Sequence, residues 1–132
     1  MSQENVDAVR SAYEYLNRGD AESLAEMCAD DFRMDMTERV FNPDIYKGSD
    51  GVRRFLEGVR DAWESYHWSV EETLVAGDGV VAMLHCQAQG HKGSPRVDWH
   101  VAWLWRFEGE TPVSVRFYRD PDSALEAVRL RE

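Results

Sequence analysis

The chain has 132 residues, the size of one domain, and its 43% hydrophobic and 30% charged content is that of a folded protein with a sizeable core. Asp and Glu number 25 against 15 Lys and Arg, a net charge of -10, which argues against a cationic face for nucleic acid or for an anionic membrane. Two cysteines, Cys28 and Cys86, stand far apart with no C-x-x-C spacing, and no apolar run is long enough for a signal peptide or a membrane span. The expectation is a single cytoplasmic domain over residues 1–132 with two reduced, partly buried thiols.

Ser2 is a candidate helix cap, and Val6, Val9, Tyr13 and Leu16 repeat at helical spacing until Gly19 stops the run. Asp20 can cap a second, shorter helix carrying Leu24, Met27 and Cys28. Phe32, Met34 and Met36 then alternate with Arg33, Asp35 and Thr37, the signature of a short strand. Val40 to Gly48 contains Asn42-Pro43-Asp44 and reads as a loop. Ser49 or Asp50 caps a third helix with a broad apolar face: Val52, Phe55, Leu56, Val59, Ala62 and Trp63.

After Ser65 the period falls to two. Tyr66 to Val75, Val80 to Gln89, Arg96 to Phe107 and Pro112 to Tyr118 read as four strands of a meander, with turns at Gly77-Asp78-Gly79, Gly90 to Pro95 and Glu108-Gly109-Glu110. Asp122 or Ser123 opens a terminal helix holding Leu125 and Val128. Helices first and strands later predict an α+β fold: a curved antiparallel sheet wrapped around three N-terminal helices, with a short C-terminal helix. A twisted sheet that three helices cannot cover leaves a concave space between the two layers.

Several runs then fall into a known order: Ala12-Tyr13 with Leu16 to Asp20, Ala29-Asp30-Asp31-Phe32, Tyr46-Lys47-Gly48 with Gly51 to Phe55, Trp103 to Gly109, and Arg116 to Asp120. On these the chain resembles the nuclear transport factor 2-like superfamily and, within it, the SnoaL-like proteins, relatives of ketosteroid isomerase and the polyketide cyclases. The resemblance implies a cone-shaped α+β barrel with an apolar pocket, commonly paired as a homodimer through the outer face of the sheet. It implies no single activity, because the fold hosts isomerases, cyclases, dehydratases, epoxide hydrolases and non-catalytic binding modules.

The family's known chemistries find no match in this chain. The ketosteroid isomerase tyrosine, base and aspartic acid fall on Ala12, Met36 and Trp103. One aspartate of the limonene epoxide hydrolases falls on Phe117, as does the acid/base aspartate of SnoaL-type cyclases. Four groups remain as proton-transfer candidates: Asp35 and Asp120 if desolvated, Tyr13 on the apolar stripe of the first helix, and Tyr46 in the Tyr-x-Gly loop. The alternative for the two aspartates is a solvated carboxylate or an ion pair with Arg116 or Arg119.

His85 and His100 share the polar faces of neighbouring strands with Gln87 and Asp98, read as a dimer contact or plain surface. His67 and His91 are single residues near strand ends; no His/Asp/Glu spacing resembles a metal site, and neither metal nor cofactor is expected. Cys86, on the apolar face of its strand, reads as a core residue rather than a nucleophile.

The row Trp99, Val101, Trp103 is the most telling feature, and Tyr13, Met34, Met36, Tyr46, Phe55, Val59, Trp63 and Phe117 are expected to converge on the same volume. The functional reading is a deep aromatic pocket for a small apolar or aromatic molecule, bound without turnover. The alternatives are a cofactor-free lyase, isomerase or cyclase on a polyketide- or terpenoid-like substrate, and a purely structural dimer with a solid core.

Overall fold

The computed structural model describes residues 2–39 and 42–129; the Ser2 side chain, and Val40 at the head of the expected loop, lie outside what it describes. The elements run α1 (Ser2–Arg18), α2 (Ala21–Met27), β1 (Arg33–Asp35), β2 (Ile45–Lys47), α3 (Gly48–Ala62), β3 (Ser65–Ala76), β4 (Gly79–Gln89), β5 (Arg96–Glu108), β6 (Thr111–Tyr118) and α4 (Pro121–Arg129). The fold is the expected α+β arrangement, three helices against one sheet and a fourth helix at the end. No helix among the described residues is long and apolar enough to cross a membrane.

Local chemistry sets the helix ends. Gly19, at φ 70°, closes α1 as Gly19 N–H and Asp20 N–H bond back to the carbonyls of Leu16 and Tyr15. Asp20 caps α2, its carboxylate accepting from Ser23 N–H at 3.1 Å and from Ser23 Oγ–H at 2.7 Å. Two caps differ from expectation. The third helix opens at Gly48, ahead of Ser49 and Asp50, where Gly48 N–H is tied to the Phe32 carbonyl at 2.7 Å. The last helix is capped by Asp120, which accepts from Asp122 N–H at 3.0 Å, with Pro121 in the first turn, where its missing N–H is no loss.

The sheet order is β2-β1-β6-β5-β4-β3. The meander is antiparallel throughout, but β1 lies parallel to β6, with Met34 opposite Val115, so the sheet is mixed rather than purely antiparallel. The expected loop contains one further strand, β2, which pairs Ile45, Tyr46 and Lys47 with Asp35, Met34 and Arg33. Gly51, in the first turn of α3, presses against this hairpin so closely that a β-carbon there would sit 2.6 Å from the Tyr46 carbonyl carbon.

Alternation along β4 and β5 sends Val80, Ala82, Leu84 and Cys86, with Val101, Trp103 and Trp105, toward the helices, where they form the main core. The opposite face carries a second cluster, Val81, Ala102, Leu104 and Tyr118, which α4 covers with Ala124 and Val128. At the free edge of β3, Asn17 of α1 does what another strand would do. Its amide donates to the Trp68 carbonyl and accepts from Trp68 N–H, both at 2.9 Å.

Candidate functional site

The space between sheet and helices is filled at its deep end. Trp103 packs against Tyr13 at 5.4 Å between ring centroids, Phe55 at 5.9 Å and Trp68 at 6.1 Å. Trp105 completes the plug, its indole N–H donating to Tyr13 Oη at 3.0 Å. The layers separate toward the start of β5, where a cavity of about 530 Å³ opens among Trp63, Tyr66, Val97, Trp99, Val101 and Phe117, with Arg39, His100 and Arg119 completing its wall.

Trp63, Tyr66 and Trp99 pack together along one side of it. Trp63 lies 5.7 Å from Trp99 and 6.2 Å from Tyr66, and Tyr66 lies 5.8 Å from Trp99. Edge-on and tilted packing at these distances holds the rings against collapse, each pair contributing about 0.5–1.5 kcal/mol beyond its buried area.

Of the eleven residues that the sequence directs at one pocket, Trp63, Trp99, Val101 and Phe117 line this cavity. The other seven, Tyr13, Met34, Met36, Tyr46, Phe55, Val59 and Trp103, are buried in the core instead. The reason is volume. The indoles of Trp103 and Trp105 interlock with Tyr13 and Phe55, and the short side chains of β4 beside them let α1 approach the sheet.

The four proton-transfer candidates are not brought together. The Tyr13 hydroxyl is buried with Trp105, and burial, with a further rise from neighbouring Cys86, pushes its pKa well above the ordinary tyrosine value. Tyr46 donates from its hydroxyl to the Asn42 carbonyl at 3.1 Å and borders a separate polar groove with Asp44, Arg54 and Glu57. Burial raises the Asp35 carboxyl, but hydrogen bonds from Thr37 N–H at 3.1 Å and Thr37 Oγ1–H at 2.6 Å outweigh it. With the charges of Arg116 and Arg33 they leave the pKa below the ordinary aspartate value. Asp120 is exposed and occupied in capping α4.

Neither Arg39 nor Arg119 stands out in the sequence as a site residue. Arg39 follows β1 in a stretch without motif or period, so no pattern marks it. Its half-buried guanidinium carbon lies 5.0 Å from the centre of the Phe55 ring, a contact worth about 0.5–2 kcal/mol. Tyr66 had a usable signal, since Tyr66, Trp68 and Val70 alternate onto the concave face.

Tyr66 and Cys86 lie close enough for each to act on the other's ionisation. Burial pushes the Cys86 thiol up to about 11, despite the opposing effects of Tyr66 and the Arg39 charge, and pushes Cys28 up to about 12. Burial also raises Tyr66, as does Cys86. Cys86 is therefore a neutral thiol near pH 7 rather than a thiolate nucleophile.

These buried acids predict an alkaline limit to stability. The unfolded chain sheds its thiol protons from about pH 9 while the folded chain keeps them, so stability is intact below that value and lost above it. The expected slope is about 1.4 kcal/mol per pH unit for each thiol up to its folded pKa. Urea midpoints measured at pH 8 and pH 10.5 test this; equal stability at the two values would show that the thiols are not desolvated.

On the convex face, His85 and His100 stand directly opposite across β4 and β5, their rings stacked at 4.6 Å. His85 Nε2 lies 3.6 Å from Asp98 and His100 Nε2 lies 3.4 Å from Glu71. Glu71, His85 and His100 are the one group among the described residues whose donor atoms, all within 4.8 Å of one another, are close enough to share a cation. Strand register and the β3 bulge beside Glu71 assemble this group, so no sequence spacing reveals it. His67 is exposed, and the His91 ring nitrogen Nε2 lies 3.2 Å from the Asp61 carbonyl.

Comparison with known proteins places this geometry in a family. A SnoaL-like domain model matches residues 9–114, and the chain belongs to that family. No curated protein matches it. Among solved structures, an NTF2-like protein from Burkholderia pseudomallei superposes with a TM-score of 0.76 at 19% identity, over 95% of this chain and 97% of that one. TerC, crystallised with polyporic acid, gives 0.77 at 15% identity over 96% and 98%. A cystatin-fold protein from Novosphingobium aromaticivorans gives 0.71 at 22% identity over 87% and 97%. Likenesses at these identities show the fold alone.

Proposed function

We propose that the protein binds a flat, apolar small molecule between Trp63, Tyr66, Trp99 and Phe117, without chemical turnover. The observation that carries this reading is an aromatic box standing open beside a fully packed core. An open cavity lined by large apolar rings loses contacts on one side, and a planar ligand restores them. Binding rather than catalysis is favoured by the condition of the four candidate acids. Each is buried away from the cavity, engaged in a turn or cap, or bonded to backbone. The structural neighbour TerC, crystallised with polyporic acid, adds support from the same fold.

The test uses phenylnaphthylamine, an uncharged aromatic probe whose fluorescence rises in apolar surroundings. One saturable site is expected, and Trp99→Ala should weaken it about tenfold, the loss of roughly 1–2 kcal/mol of apolar contact. Absence of saturable binding, or an affinity indifferent to Trp99, would sink the reading. Steady turnover of a ligand found in this cavity would restore the lyase, isomerase or cyclase alternative.

A further inference from the structure

We infer that the ligand carries an anionic oxygen group, held by the guanidinium of Arg39 while its ring system lies in the aromatic box; this rests on the reading of the cavity as a ligand site. The first support is the placement of charge. The chain carries 25 acidic residues, yet none of the nine described residues that line the cavity is acidic, and two are arginines. In a protein of net charge -10, this cavity is a cationic enclave.

The second support is the state of Arg39. Arg18, Arg53, Arg54, Arg106 and Arg116 each face a carboxylate, at distances from 2.6 to 3.9 Å. The Arg60 guanidinium donates to the Gly19 carbonyl at 3.1 Å. Among the described residues, Arg39 has no such ion pair and no acceptor for its guanidinium, although it is more enclosed than any of them except Arg53 and Arg106, which are paired. Its position is fixed by the Phe55 ring rather than by a counter-charge. A cation drawn out of water and left without an acceptor is destabilising, and an anion entering the cavity relieves it.

The third support is the match of shapes. A planar guanidinium presents paired N–H donors that fit the two oxygens of a carboxylate or a similar anion. The surrounding indole and phenol rings exclude water, which strengthens that attraction. Arg119, exposed at the rim, adds a second positive charge on the approach.

The experiment compares anilinonaphthalene sulfonate, an anion, with uncharged phenylnaphthylamine, titrated against the full chain by fluorescence. Arg39→Met is expected to weaken the sulfonate about 10- to 100-fold and to leave the neutral probe within about twofold, which also shows that the variant is folded. Arg39→Lys should retain an intermediate preference for the anion, and Arg119→Gln should weaken it by about twofold at low salt only. An Arg39→Met variant that changes both probes equally, or neither, overturns the inference and leaves the cavity reading standing. If the wild-type chain binds neither probe, both fall together.

Discussion

Replacing Trp103 by alanine is expected to cost about 3–5 kcal/mol of folding stability, the range for emptying a large aromatic site in a packed core. Trp103 is 2% exposed and meets Tyr13, Phe55, Trp68 and Trp105 around its indole. Those four rings cannot close over the gap without leaving their rotamers, so most of the void persists. Trp103→Phe should cost much less. The indole N–H has no hydrogen-bond partner among the described residues, and phenylalanine removes that buried donor together with part of the ring. Urea unfolding of the two variants measures both numbers. An alanine variant within about 1 kcal/mol of wild type would show that the deep end is not solid.

The second large effect is expected at Asn17. Asn17→Ala strips two hydrogen bonds from the backbone of Trp68 at the sheet edge, and a loss of about 2–3 kcal/mol follows from two partly buried groups left without partners. Asn17→Asp separates the two bonds. A carboxylate still accepts from Trp68 N–H but cannot donate to the Trp68 carbonyl, and its stability should fall between alanine and wild type. Amide exchange at Trp68 gives a second readout, faster in the alanine variant than in the aspartate one. Equal exchange in wild type and Asn17→Ala would remove Asn17 from the account of how the open edge is protected.

Much of this architecture is written in local patterns. Val9, Tyr13 and Leu16 mark α1, the alternation through Trp99, Val101, Trp103 and Trp105 marks β5 and its inward face, and Gly77 marks a turn that needs positive φ. Three residues are too few to mark β2 by any period, and the Asn42-Pro43 pair before it reads as a loop. The parallel pairing of β1 with β6 left no local trace, since nothing in either segment encodes its partner.

The candidate site divides along the same line. That the tryptophan row faces inward follows from alternation. Whether a ring fills a space or walls it does not, because the answer depends on how closely α1 approaches and on which indoles interlock. Hence Trp99 stands at an open cavity while Trp103, four residues on and on the same face, is sealed inside. Arg39 acquires its meaning only from neighbours distant in the chain, Phe55 beneath it and Tyr66 beside it.

The seating of β1 beside β6 sets an order of events during synthesis. Arg33 to Asp35 lie near the beginning of the chain and their partners, Ser114 to Arg116, near its end. As the nascent polypeptide leaves the ribosome, α1, α2 and the β1–β2 hairpin emerge long before the strand that receives them. Their apolar faces must wait, exposed or loosely gathered, until the meander arrives. Closing so long a loop comes late and slowly compared with forming the β3–β4 hairpin. A chain cut off before β6 has all its helices but the last, and no slot in which to hang its first strand.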